Sequence, residues 1–157
     1  MKEMKGDSVM AEEQLVVFRL GKEEYALSIS RVREIIQYQG ATKLPNSPDY
    51  YKGIINIRGK LIPVIDIAVK FVLDIEKVSE RRAIIIETDE KIFAIIVDEV
   101  TEVKKLQESE IEVVQNTACG DNEYIRGVAK DGNRLIIVLN AEKILGSAAF
   151  EQLEDVS

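Results

Sequence analysis

Short apolar runs broken by polar turns carry most of the structural information in this chain. Leu15 to Leu20 and Tyr25 to Ile29 are apolar runs on either side of the turn-like stretch 21–24, which predicts a hairpin. Gly53 to Ile57 and Lys60 to Ile65 flank Arg58 and Gly59, the pattern of strand, tight turn and strand. Pro63 marks an edge or a bulge there, because proline cannot donate to a central ladder. Ala83 to Glu87 and Ile92 to Val97 flank a turn at 88–91, and Asp98 opens a polar connection. Tyr124 to Ala129 and Leu135 to Leu139 flank 130–133, where Asp131-Gly132 is a strong turn signal.

Helical signals are fewer. Val32, Ile35 and Ile36 fall at i, i+3 and i+4 behind Ser30, which predicts a short helix or tight turn capped by Ser30. Asp66 is placed to cap a short helix through Phe71, and Asn140 a terminal helix with Ile144, Leu145, Ala148, Ala149 and Leu153 at its apolar positions. Pro45 and Pro48 bracket a loop, and residues 104–123 show no clear element.

The pattern repeats. Residues 50–66 return at 124–140 with an offset of 74, matching Tyr50 with Tyr124, Gly53 with Gly127, Ile62 with Ile136 and Val64 with Val138. Residues 15–35 return at 83–103 with an offset of 68, matching Tyr25 with Phe93, Ala26 with Ala94, Val32 with Val100 and Glu34 with Glu102. Two halves, each too small for a large core, bury their faces against one another. The expectation is a mainly β fold of eight to ten short strands and three small helices, arranged as two small barrels side by side. Residues 1–13 read as a disordered charged lead.

Composition narrows the chemistry. With 157 residues, 46% hydrophobic and 31% charged, the chain has the balance of one soluble domain, and its polar, acidic start and lack of a long apolar run predict a cytoplasmic protein without membrane insertion. The single Cys119 cannot form an intrachain disulfide and reads as a loop or packing cysteine. A net charge of −7 opposes nucleic acid, whose binding depends on lysine and arginine displacing counterions. The absence of histidine removes the Ser-His and Cys-His pairs and the commonest metal ligand, so no catalytic residue, metal site or cofactor is assigned. Gly59-Lys60 lacks the spacing of a phosphate loop, and Asp131-Gly132-Asn133 reads as a hairpin turn rather than a calcium loop. The pairs Arg81-Arg82 and Lys104-Lys105, with Glu108, Glu110 and Glu112, read as solvated charge. A hydrolase using Asp66 and Asp98 ranks last, since both look like strand-end caps; a small barrel binding a ligand or nucleic acid ranks above it.

The segment 17–25, the stretch Val32 to Ile36, the block Lys52 to Gly59 with Pro63 to Asp66, Ile96 to Asp98 with Val100, and Tyr124 to Val128 together resemble the CheW-like family of chemotaxis coupling proteins. The Gly53-x-x-Asn56-x-Arg58-Gly59 block is the most specific of these. The resemblance implies one domain, residues 14–147, of two intertwined SH3-like five-stranded β-barrels on a shared hydrophobic seam, with residues 148–157 as a tail. It also implies a non-enzymatic adaptor, recruited to membrane-associated arrays. Such an adaptor bridges the cytoplasmic hairpin tip of chemoreceptors (methyl-accepting chemotaxis proteins) and the regulatory domain of the histidine kinase CheA.

Carried over by position, receptor contact falls to Val32, Glu34, Ile35, Gly53, Ile57, Arg58, Gly59, Val100 and Val103, and kinase contact to Thr42, Lys43 and Leu44. An exposed helix is held by apolar anchors with a few charges fixing register, and Arg58 offers a planar fork for a carboxylate. The residues by themselves leave alternatives open. Arg58 also reads as an ordinary exposed turn residue, Val32 as core, and Glu34 as either an internal partner of Arg58 or a contact for a receptor base.

Overall fold

The first hairpin pairs β1 (Glu12–Leu20) with β2 (Glu23–Ser28) and turns at Gly21, whose φ is 64° and whose N–H donates to the Asp98 carboxylate at 2.8 Å. The computed structural model describes residues 12–113 and 123–145. A 3-10 turn at Ile29–Arg31 leads into β3 (Val32–Gln37); β4 (Tyr51–Ile57) and β5 (Lys60–Asp66) form the second hairpin, and α1 (Ile67–Lys70) follows. The second half adds β6 (Arg82–Glu87), β7 (Ile92–Val97), β8 (Glu99–Gln107), a 3-10 turn at Glu108–Glu110 and β9 (Ile111–Glu112). It closes with β10 (Ile125–Asp131), β11 (Arg134–Leu139) and α2 (Ala141–Ile144). None of the described helices is long and apolar enough to cross a membrane.

Two sheets result, ordered β8-β1-β2-β11-β10-β9 and β3-β6-β7-β5-β4. Each half gives its third strand to the other's hairpin: β8 pairs with β1, and β3 with β6. The offsets read in the sequence are visible in the register. Phe18 faces Val100 and Ile86 faces Val32, while Val64 faces Ala94 and Val138 faces Ala26. Both sheets curve back on themselves, because β8 and β9, at opposite ends of the first order, are joined by a three-residue turn, and Thr42 near β3 bridges to Ile54 on β4.

Burial on both faces explains the continuous apolar runs. Along β6 and β7, Ala83, Ile85, Ala94 and Ile96 fill the inside of the second sheet, while Ile84, Ile86, Phe93, Ile95 and Val97 point to the seam. The first sheet answers with Leu15, Val17 and Ala26 inside and Phe18, Leu20, Tyr25 and Leu27 at the seam. Each fully buried side chain of this size contributes roughly 1.5–3 kcal/mol. Tyr50 and Tyr124, matched in the repeat, converge on Lys70, whose ammonium lies 4.1 and 5.5 Å from their ring centres.

Several local expectations change. Val32 to Ile36 is an edge strand and not a helix, since β6 supplies the hydrogen bonds that a one-turn helix would leave unmade. Ser30 caps nothing: it lies inside the 3-10 turn, with its hydroxyl 2.9 Å from that of Ser28. The polar connection expected after Asp98 is the nine-residue strand β8. β1 starts at Glu12, inside the stretch read as a lead. Asp66 does cap α1, accepting from Ala68 and Val69 at 3.1 and 3.4 Å, but Asn140 makes no side-chain cap. Arg81 is not solvated charge: it lies 3.5 Å from the buried Asp66 carboxylate, and Lys104 pairs with Asp131 at 2.7 Å. Pro63 faces Ile54, which turns its own N–H and C=O away to Thr42, so β5 needs no donor at that point. Ala148, Ala149, Leu153 and Cys119 lie outside the described residues.

Candidate functional site

The Asn56-x-Arg58-Gly59 block builds a two-residue turn. The Asn56 Oδ1 accepts from the Gly59 N–H at 2.9 Å, and φ is positive at both central residues, 50° at Arg58 and 85° at Gly59, as a type I′ turn requires. That backbone throws the Arg58 side chain outward, 72% exposed, and its Nη2 donates to Glu34 Oε1 on β3. Glu34 is 27% exposed, so it is anchored in the strand while the guanidinium keeps donors free toward solvent. The pairing fits one of the two readings left open by the residues, Glu34 as the internal partner of Arg58.

Ile35, the next residue on β3, is 41% exposed, and Ile57 is partly buried against the inner cluster of the second sheet. Val32 is half-buried against the seam, where Val100 also packs. Val103 is 54% exposed but stands on β8, at the edge of the other sheet. The structure therefore gathers Glu34, Ile35, Ile57, Arg58 and Gly59 where the two opposite edges of the curled second sheet, β3 and β4, approach each other. Val100 and Val103 lie at the repeat-related edge.

Gly53 belongs to the framework. It is buried at φ 132°, and a Cβ there would come within 2.1 Å of the Thr42 carbonyl oxygen. It offers no surface for a partner; what it does is let residues 42–43 lie flat on β4, where Thr42 and Ile54 exchange bonds of 2.9 and 2.8 Å. Within the Thr42, Lys43, Leu44 segment, Thr42 and Lys43 are exposed and Leu44 packs against the seam.

Sequence reasoning missed the charge cluster at the matching place in the second half. Arg134 donates to Glu24 at 3.0 and 2.9 Å, to Glu102 at 2.6 Å and to Asp131 at 3.1 Å. The bonds to Glu24, then Glu102, push the Arg134 guanidinium above its usual range, and the bond from Lys104 holds the Asp131 carboxyl below its own. The signal was there in the repeat, since Glu102 is the counterpart of Glu34. Four exposed aliphatic side chains form two pairs related by the same repeat, Ile35 with Val103 and Leu61 with Leu135. Among the described residues no group of three or more side chains is placed to hold a metal ion.

Two strand-exchanged sheets that present an oriented arginine turn and aliphatic edge positions define a docking module built on an internal repeat. The chain belongs to the CheW-like domain family, whose profile matches residues 14–149. It is 35% identical over 135 residues to the chemotaxis protein CheW of Bacillus subtilis, covering 85% of this chain and 86% of that one. It is 32% identical over 133 residues to CheW of Helicobacter pylori, covering 84% and 81%. The crystal structure of the scaffolding protein TtCheW from Thermoanaerobacter tengcongensis superposes with a TM-score of 0.81 at 34% identity, covering 88% of this chain and 96% of that one.

Proposed function

We propose that this protein is a non-enzymatic adaptor of bacterial chemotaxis that couples transmembrane chemoreceptors to the histidine kinase CheA from the cytoplasmic side. The family match carries this reading, because residues 14–149 span both halves of the repeat and include the Arg58 turn. The relatives named as chemotaxis proteins and the neighbour titled a scaffolding protein support it. The receptor's helical hairpin tip docks on Glu34, Ile35, Ile57, Arg58 and Gly59, with Val32, Val100 and Val103 completing the apolar contact. The kinase regulatory domain meets the Thr42 to Leu44 segment. Coupling acts by holding both partners in one geometry, so that a shift in the receptor changes which kinase arrangement is populated.

Co-sedimentation with receptor-containing membranes, with and without the kinase, tests this. The wild type brings kinase to the membrane pellet and a folded Arg58→Ala variant does not. A wild type that neither binds the membranes nor recruits kinase sinks the proposal.

A further inference from the structure

Each half of the repeat is a template for the other, and in one region they differ. In the first sheet β9 runs along the outer edge of β10, with Glu112 facing Val128 and Ile111 facing Ala129. Its counterpart in the second sheet is a lone bridge between Thr42 and Ile54. The connection is shorter there. Leu106 and Ile111 pack into the first sheet's inner cluster with four residues between them, whereas Tyr38 and Ala41 pack into the second's with two between them.

Beyond that bridge β4 keeps an open outer edge, beside a groove of about 550 Å³. Ile36, Tyr38, Ala41, Ile55 and Ile57 line it, all packed against the inner cluster, and Asn56 forms a wall. Because Ile54 turns its N–H and C=O outward to Thr42, the period of two turns those of Asn56 outward as well, into the groove. Ile36 and Ile57 occupy the places that Lys104 and Asp131 hold in the second half, where those two form a 2.7 Å ion pair. The second half puts an ion pair where the first presents two isoleucines. Two lysines neighbour lining residues without lining the groove themselves: Lys43 follows Thr42 in sequence, and Lys60 faces Ile57 across the hairpin. Both are exposed, and neither has an ion-pair partner among the described residues of a chain whose net charge is −7.

We infer that this groove accepts an extended acidic and aliphatic segment of a partner protein, which adds to the outer edge of β4 beyond the Thr42 bridge. A branched aliphatic side chain lies over Ile36 and Ile57, and carboxylates reach Lys43 and Lys60. Main-chain bonds to Asn56 fix its register. Such a segment is extended, unlike the helical hairpin proposed for the Arg58 face; it shares Ile57 with that face and Lys43 with the segment proposed for the kinase, and it needs neither Glu34 nor Arg58.

The probe is acetyl-Glu-Ser-Glu-Ile-Glu-Val-amide, a copy of residues 108–113, titrated into the isotope-labelled full chain and followed by NMR. Amide shifts are expected at Gly40, Thr42 and Asn56. Affinity falls about tenfold when the peptide's isoleucine is replaced by serine. It falls further at high salt and in a Lys43→Glu, Lys60→Glu variant, whose changes sit at exposed positions and leave the fold intact. Ala41→Leu, which fills the groove from below, removes the shifts. Saturating peptide without shifts at those amides, shifts on other strands, or equal binding by the serine peptide overturns the proposal. Self-association of the chain through this groove overturns it as well, since a second copy would then be the occupant.

Discussion

Arg58 reaches Glu34 across the gap between β4 and β3, strands that stand at opposite edges of the five-stranded sheet, and it does so from a left-handed backbone with φ at 50°. The matching residue of the second half is Gly132, φ 64°, which adopts that conformation without a Cβ penalty. An arginine held where glycine would be easier is retained against its backbone preference, and such positions gather at functional sites.

The two roles separate by mutation. Arg58→Gly relieves the backbone and loses only an exposed ion pair, worth about 0–1 kcal/mol, so its urea midpoint stays within a small margin of the wild type or rises. Its binding to receptor membranes is lost all the same. A variant that unfolds earlier and binds normally would make Arg58 a stability residue and remove it from the docking face.

Gly53 makes the opposite forecast. Its Cβ position collides with the Thr42 carbonyl at 2.1 Å, so Gly53→Ala must push residues 42–43 off β4 or distort the bulge between Tyr51 and Gly53. A loss of about 3 kcal/mol or more is expected in urea unfolding, in the range of severe backbone clashes. Any binding defect of that variant then reports the fold and not a lost contact. An unchanged midpoint would show that the 42–44 segment moves aside freely.

The repeat made much of this fold legible, because residues buried on both faces leave continuous apolar runs whose spacing survives in both halves. Which sheet each third strand joins was not legible: β3 and β8 owe their partners, β6 and β1, to long-range pairing. β3 misled for a further reason. Burial along β3 alternates strictly, but Glu34 takes a half-buried position and Ile35 an exposed one, and the resulting spacing of Val32, Ile35 and Ile36 imitates a helix. In the site, the outward Arg58 followed from the turn chemistry of Gly59, but burial of Gly53 depends on the 42–43 segment lying on it. No local pattern carries that. The same holds for Arg81, which looks like surface charge until Asp66 is placed beside it.

Glu13 ties β1 to the second half and governs an acid limb of stability. Its carboxylate accepts two bonds from Arg126, at 2.7 and 2.5 Å, and chiefly this bonding holds its pKa below the ordinary carboxylate value, against the effect of burial. A group whose folded pKa is depressed stabilises the fold above its unfolded pKa and loses that contribution as pH falls through the folded value. Glu13→Gln should therefore cost about 1–2 kcal/mol at neutral pH, the worth of a partly exposed charged hydrogen bond. The gap to wild type should narrow as pH drops below 4.5, the ordinary value for glutamate. Urea titrations of both proteins across the acid range read it directly, and a gap that persists at the lowest pH would assign the loss to packing instead.

Tyr51 predicts the alkaline limb. Its ring is buried in the seam, its hydroxyl has no hydrogen-bond partner among the described residues, and burial pushes its pKa from 10.0 up to about 12. The folded value lies above the unfolded one, so its contribution is complete below pH 10.0 and is lost as pH rises toward about 12. Tyr51→Phe keeps the ring and deletes the unsatisfied oxygen, which makes the variant equal to or about 1 kcal/mol more stable than wild type at neutral pH. Above pH 10.0 the advantage should grow, because the unfolded wild-type chain gains an ionisation that the phenylalanine chain lacks. Burial also raises Tyr25, Tyr38 and Tyr50, so the variant retains part of the alkaline loss. Thermal melts of the two proteins at neutral pH and near pH 11, about midway through that window, decide it. A variant less stable than wild type at both would mean that the hydroxyl is satisfied in solution.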